Sequence, residues 1–165
     1  MLINPETLYI HSFNLIAQFG PKRLGLLLHT FPDFKTAYFA SKTELIWCGL
    51  EENLVDLFLE HKNSIDLEAE ATMLEKHGIQ IVSIADEQYP ILLKQIPQAP
   101  PLLYYRGVLP EKDQLCLSVV GTRKISGYGR IVLPTILDPL INNGMTIVSG
   151  LAYGIDAVSH QLAVS

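Results

Sequence analysis

The 165-residue chain is poor in cysteine, in long apolar runs and in net positive charge. Its two cysteines, Cys48 and Cys116, form no CxxC pair, so neither a disulfide framework nor a zinc site is expected. The longest apolar runs fall far short of the roughly 20 residues that cross a membrane. The first residues also lack the basic and apolar regions of a signal peptide. We therefore expect a reduced, cytoplasmic protein with no metal centre and no membrane contact.

The formal net charge of −5 argues by itself against a nucleic-acid-binding protein. The charge is nevertheless unevenly distributed. Residues 1–100 carry 7 Lys and Arg against 13 Asp and Glu, and residues 101–165 carry 5 against 4, which gives −6 and +1. Three cations of the second segment, Arg123, Lys124 and Arg130, fall within one short stretch. A local anion site is therefore compatible with the acidic total.

Residues 1–64 have the pattern of a small all-helical domain. Five short helices are predicted, from Pro5 to Phe19, from Pro21 to about residue 30, from the cap Asp33 to residue 40, from residue 41 to about 49, and over 51–62. Proline at first helical positions, glycine after last ones and a capping box at residues 41–44 mark their ends. The stretch Phe19-Gly20-Pro21-Lys22-Arg23 resembles the turn of a helix–hairpin–helix, which presents backbone N–H groups to phosphate. A plain helix start with solvated cations is the favoured interpretation, because the segment as a whole is acidic.

Residues 65–165 show a different pattern, which predicts an α/β fold with the first part of a Rossmann-like parallel sheet. Strands are predicted over 79–84, 102–106, 115–120 and 145–148, and helices over 65–77, 91–95, 125–143 and from about 153 onward. The near-continuous apolar run 115–120 is typical of a strand buried on both faces. Strand, helix, strand, helix in this order implies parallel strands joined by a right-handed crossover. Pro134 and Pro139 are expected to kink or split the crossover helix.

Two turns of small residues end the two predicted parallel strands, and ligands of open parallel sheets bind at such ends. Glycine lets backbone N–H groups approach an anion, hydroxyls donate further hydrogen bonds, and Arg123 can hold two phosphate oxygens. The predicted phosphate-binding residues are Gly121, Thr122, Arg123, Lys124, Ser126, Ser149 and Gly150. A tight turn with a surface arginine is the alternative. The sequence has neither a Walker A loop nor GxGxxG at this turn, so no cofactor is expected.

Three residues of the second turn and the helix after it suggest a hydrolase as an alternative. Asp156 and His160 are four residues apart on one helix face, and Ser149 lies nearby in sequence. No GxSxG elbow surrounds the serine, and two ligands do not make a metal site. Asp156 is instead expected to brace the loop and His160 to pack beside the sheet. No catalytic residue and no metal ligand is assigned.

A set of short motifs from about Ile79 to the chain end resembles the DNA-processing protein A family (DprA, also called Smf). The matching residues are Tyr89-Pro90, Pro100 to Tyr104 with Gly107, Val119 to Arg123 with Ser126 and Tyr128-Gly129, Ile147 to Ala152, Gly154 to Ala157, and His160. Residues 1–64 look like that family's sterile-alpha-motif-like domain. Because the family's sheet continues beyond this point, the chain is expected to be an N-terminal fragment of such a protein.

The resemblance implies a Rossmann-like domain that binds single-stranded DNA at its strand ends. The family's Gly-Ser-Arg phosphate motif corresponds to Gly121-Thr122-Arg123, in which threonine keeps the hydroxyl. The resemblance further implies a recombination mediator of natural transformation that protects incoming DNA, loads RecA, forms homodimers at full length and is not an enzyme. The alternative is a Rossmann-like nucleotide sensor or nucleoside-monophosphate hydrolase at the same edge.

Overall fold

A computed structural model of the chain describes residues 4–111 and 114–164. The chain divides into two compact units, Met1–Leu109 and Pro110–Ser165. Helices and short strands occur in both units, so the predicted α/β class is confirmed. Within the described ranges no helix is long and apolar enough to cross a membrane, and no group of three or more His, Cys, Asp or Glu side chains could hold a metal ion.

In its described residues, 4–109, the first unit contains seven helices and a two-stranded antiparallel sheet. The elements are α1 Pro5–Asn14, α2 Pro21–Thr30, α3 Phe34–Phe39, α4 Lys42–Trp47, α5 Glu52–Ser64, α6 Leu67–Lys76, β1 Gln80–Ser83, α7 Ile91–Lys94 and β2 Leu102–Tyr105. The capping box is confirmed, because Ser41 and Glu44 bond reciprocally at the start of α4. Helix α1 ends earlier than the predicted residue 19, because the chain turns after Asn14 and brings Phe19 into the core.

An aromatic cluster forms the centre of the first unit. The rings of Phe13 and Phe58 stack with their centroids 4.2 Å apart, and Phe19 and Tyr38 pack edge-on or tilted around them. Phe13 and Phe58 are fully buried. Burial of side chains of this size is the main source of the unit's stability, at about 25 cal/mol per Å² of apolar surface.

Strand β2 and helix α6 are attached to this helical core by a buried histidine. His11 of α1 has its Nδ1 2.7 Å from the Tyr104 hydroxyl of β2 and its Nε2 3.2 Å from the Glu70 carboxylate of α6. Leu102 of β2 belongs to the same apolar cluster. Residues 65–109 therefore pack with the helices, and the contact boundary lies after Leu109. The sequence-based division into domains 1–64 and 65–165 stays a prediction.

The second unit is a β-α-β-α arrangement with a parallel strand pair. Its elements are β3 Cys116–Ser118, α8 Gly127–Asn142, β4 Thr146–Val148 and α9 Ile155–Ala163. Strands β3 and β4 pair in parallel with Ser118 opposite Val148, as predicted for strands joined by a crossover helix. Helix α8 is continuous through Pro134 and Pro139, so of the predicted kink or split the split is wrong.

The prediction that strand 115–120 is buried on both faces is wrong for the described residues. Leu115 and Val120 are both largely exposed, and β3 has β4 as its one neighbouring strand. An apolar run produces two-sided burial only where strands and helices cover both faces. The described part of the second unit does not supply that cover to β3.

Candidate functional site

The turns after β3 and β4 meet at one edge of the parallel pair. Val119 donates its backbone N–H to the Val148 carbonyl over 2.9 Å, which continues the ladder past the strand ends. The Ser149 hydroxyl then donates to the Val119 carbonyl over 2.7 Å. The prediction that both turns open on the same edge is therefore confirmed in geometry.

The first turn, residues 121–126, is open to solvent and carries two unpaired cations. Thr122 stabilises it, because its Oγ1 accepts a hydrogen bond from the Lys124 backbone N–H at 3.2 Å. Ser126 caps α8 by accepting from the Gly129 N–H at 3.1 Å. Arg123 and Lys124 are exposed, and no carboxylate in the described ranges pairs with either. An uncompensated cation pair at the start of a 16-residue helix makes this turn attractive to anions.

The second turn is held by internal hydrogen bonds. The buried carboxylate of Asp156 accepts from the Gly150 backbone N–H at 3.1 Å, and the Ser149 hydroxyl is engaged by Val119. The prediction that Asp156 braces this loop is confirmed. The Gly150 N–H and the Ser149 hydroxyl thus already donate hydrogen bonds within the protein. In the first turn, by contrast, the Arg123 side chain is available to a ligand.

Ser149, Asp156 and His160 lie together without forming a catalytic triad. The nearest ring nitrogen of His160, Nε2, is 3.4 Å from the Ser149 carbonyl oxygen. The Ser149 hydroxyl instead donates to a backbone carbonyl, and Asp156 accepts from a backbone amide. Nucleophilic catalysis needs a base on the serine hydroxyl and a carboxylate on the base. This arrangement supplies neither link.

A close backbone contact between the two turns was not predicted. The Ile155 N–H donates to the Thr122 carbonyl over 3.1 Å. Gly154 has φ +86°, and a Cβ placed on it would lie 2.6 Å from the Arg123 carbonyl carbon. A Cβ on Gly121 would likewise meet the Ile155 side chain at 2.6 Å. We call this contact the glycine clasp, defined by Gly121 and Gly154 with Thr122, Arg123 and Ile155. A glycine just before a helix is the one local signal for this contact, but its partners, Thr122 and Arg123, lie more than 30 residues earlier in the sequence.

The cationic turn at the start of α2 is occupied by an intramolecular ion pair. Arg23 donates from Nε and Nη2 to the two carboxylate oxygens of Glu51, at 3.0 and 2.8 Å, and from Nη1 to the Gln18 carbonyl. These hydrogen bonds from Arg23 lower the pKa of Glu51 to about 2. The arrangement agrees with the plain helix start favoured above, because the guanidinium already has its planar partner.

Two parallel strands, a crossover helix and an open cationic turn at the strand ends define a Rossmann-like α/β unit. Comparison with known proteins then identifies the family. The model of the DNA recombination-mediator protein A family matches residues 80–165. The chain belongs to this family of DNA-processing proteins, which act in recombination.

Individual relatives agree with this assignment over nearly the whole chain or over part of it. Protein Smf of Synechocystis is 30% identical over 97% of this chain and 42% of its own length. DNA processing protein DprA of Streptococcus pneumoniae is 40% identical over 50% of this chain and 29% of its own. An X-ray structure of the pneumococcal protein matches 99% of this chain and 55% of that chain, with a TM-score of 0.66 and 25% identity. The chain thus spans about half or less of these relatives.

Proposed function

We propose that this protein binds single-stranded DNA through the first turn of the parallel strand pair, residues 121–126. The observation that carries the proposal is the exposed pair Arg123 and Lys124, which no described carboxylate neutralises, at a strand end in front of α8. Membership of a DNA recombination-mediator family makes a nucleic-acid phosphate the relevant anion.

The chemistry of the proposed site is phosphate contact without base readout. The Arg123 guanidinium can hold two oxygens of one phosphate, and Lys124 adds a mobile charge for a neighbouring phosphate. Gly121 lets the backbone approach closely, while Thr122 and Ser126 shape the turn through their own hydrogen bonds. Ser149 and Gly150, also assigned to the site from sequence, support it from the second turn. Such contacts predict little sequence preference and a strong salt dependence.

The wider role follows from the family and forms part of the same proposal. A protein that coats a single strand through its phosphates can protect incoming DNA and hand it to the RecA recombinase during natural transformation. We propose homodimer formation at full length and a cytoplasmic location for the same reason. The proposed role is binding rather than catalysis, and the arrangement of Ser149, Asp156 and His160 is consistent with that.

The test is a titration of labelled oligo-dT with the parent protein and with Arg123→Ala, by fluorescence anisotropy at about 50 and about 200 mM salt. We expect weaker binding by the variant and a slope of log K against log salt that is smaller by about 0.7, the value for one lost phosphate contact on a single strand. Arg106→Ala is the matched control, because Arg106 is an equally exposed arginine of the first unit.

Each other outcome has a definite meaning. Equal binding by the parent and by Arg123→Ala would move the DNA site away from residues 121–126. Tight binding of a mononucleotide with no affinity for oligo-dT would favour a nucleotide sensor at the same edge. An equal loss in Arg106→Ala would show that the total charge, and not the turn, controls the affinity.

A further inference from the structure

Two tyrosines beside the cationic turn are among the most exposed large side chains of the protein. The side chain of Tyr128 is 76% exposed and that of Tyr153 is 84% exposed. Tyrosine supplies a rigid stacking surface with little conformational entropy to lose. Both rings are therefore accessible to a ligand and suited to stacking.

Both tyrosines are fixed to the same edge as Arg123 by backbone contacts of the second unit. Tyr128 lies in the first turn of α8, two residues after its N-cap Ser126. Tyr153 directly precedes Gly154, which sits against the Arg123 carbonyl in the glycine clasp. Both residues therefore lie next to the turn that carries Arg123, Tyr128 along the chain and Tyr153 through the contact of Gly154.

Other tyrosines of the chain make structural hydrogen bonds or ring contacts that these two lack. The Tyr89 hydroxyl donates to the Pro100 carbonyl at 2.7 Å, and Tyr104 bonds to His11. Tyr9 and Tyr38 pack against each other with their centroids 5.0 Å apart. Across residues 4–111 and 114–164, by contrast, neither Tyr128 nor Tyr153 has a ring partner or a hydroxyl hydrogen bond.

We infer that Tyr128 and Tyr153 are stacking platforms for the bases of the strand whose phosphates Arg123 and Lys124 hold. The inference rests on the proposed function and adds to it the residues that bind the bases. The positive charge of the turn selects a polyanion, and exposed aromatic rings next to it suit unpaired bases. A duplex keeps its bases stacked inside, so this combination favours single-stranded DNA. Because every base has a π-face, the stacking tolerates any sequence.

The loss of affinity expected on removing a tyrosine ring can be distinguished from the loss expected on removing a cation. Tyr128→Ala and Tyr153→Ala should each weaken oligo-dT binding about 5- to 150-fold, because loss of one stacked base costs about 1–3 kcal/mol. Tyr128→Phe and Tyr153→Phe keep the ring and should bind like the parent. None of the four variants should change the salt slope, because no phosphate contact is removed.

The deciding experiment compares oligo-dT with an abasic phosphodiester of equal length, using the full chain and its variants. We expect the parent to bind oligo-dT more tightly than the abasic strand, and the alanine variants to lose that preference while keeping their abasic affinity. Trp47→Ala is the control, because Trp47 is an equally exposed aromatic residue of the first unit. Circular dichroism melts confirm that each variant is folded.

The outcomes distinguish failure of the inference from failure of the proposed function. A parent that binds both strands equally, with alanine variants unchanged, would overturn the stacking role and leave phosphate binding intact. Phenylalanine variants as weak as the alanine ones would also overturn it, because the hydroxyl and not the ring would then matter. A parent that binds neither strand would overturn both proposals.

Discussion

Replacing Gly154 with alanine tests the glycine clasp that holds the two turns of the strand-end edge together. Gly154 has φ +86° and ψ −124°, a conformation that residues with a Cβ rarely adopt. The added methyl group would also point at the Thr122 carbonyl oxygen and lie 2.6 Å from the Arg123 carbonyl carbon. These neighbours are backbone atoms, so they cannot move aside by a simple rotamer change.

The two costs can be estimated separately. A positive φ costs a residue with a Cβ about 1–2 kcal/mol. Overlap with closely packed atoms costs about 1–3 kcal/mol more. Gly154→Ala should therefore destabilise the second unit by about 2–5 kcal/mol. Gly144→Ala is the matched control, because Gly144 has φ +82° but no atom within 4 Å of a built Cβ. It should lose only the conformational part, about 1–2 kcal/mol.

Amide hydrogen exchange is the suitable assay, because it reports the opening of each helix separately. We expect faster exchange in α9 for Gly154→Ala than for Gly144→Ala, with unchanged exchange in α1 and α5 of the first unit. The Gly154 variant should also bind oligo-dT more weakly, because its Arg123 turn is displaced. Equal protection in the two variants would refute the clasp, since the backbone overlap would then cost nothing.

The remaining predictions concern the first unit, with Tyr128 of the second unit as a control. Arg23 lowers the pKa of Glu51 from its usual 4.5 to about 2, so the carboxylate stabilises the fold above about pH 4.5 and this contribution is lost as the pH falls through about 2. Glu51→Gln should thus be less stable than the parent in urea at pH 7 and equal to it below pH 2; a constant difference would refute the ion pair. Tyr104→Phe should lose about 1–3 kcal/mol in the same assay, because buried His11 loses the partner of its Nδ1. Tyr128→Phe, whose hydroxyl has no described partner, should lose nothing; an equal loss in both would contradict this reasoning.

Features encoded by a few neighbouring residues were predictable from the sequence. Ser41 and Glu44 form the expected capping box, Asp33 caps α3 through the Thr36 N–H, and α2 begins at Pro21 as proposed. Capping depends on side chains within four residues of each other, so the pattern alone specifies it. The parallel strand pair was predictable for a related reason, because the order strand, helix, strand restricts the topology.

Features that depend on distant partners were not predictable. The end of α1 is determined by the burial of Phe19 against Phe58, which no local pattern contains. The exposure of β3 depends on which elements pack against it. An apolar run shows only that burial of the strand would be favourable, not which elements bury it. In the candidate site, residue types indicated the two turns at the strand ends. Which of their groups face solvent and which already have partners within the protein depends on atomic distances that the sequence does not contain. Asp156 was expected to brace a loop, and only the structure identifies the Gly150 amide as its partner.

The two turns of the edge are chemically different, and that difference explains how an acidic chain could hold an anion there. A carboxylate at a phosphate-binding edge would ordinarily repel the ligand. Asp156, however, is 6% exposed, accepts from the Gly150 N–H and lies in the first turn of α9, where the helix dipole favours negative charge. Its charge is therefore compensated within the protein. Arg123 and Lys124 have no such compensation among the described residues, so the exposed charge of this edge is positive although the chain total is −5. Removing the Asp156 carboxylate should thus disturb the second turn. Removing the Arg123 side chain should instead weaken the binding of the anionic ligand and leave both turns in place.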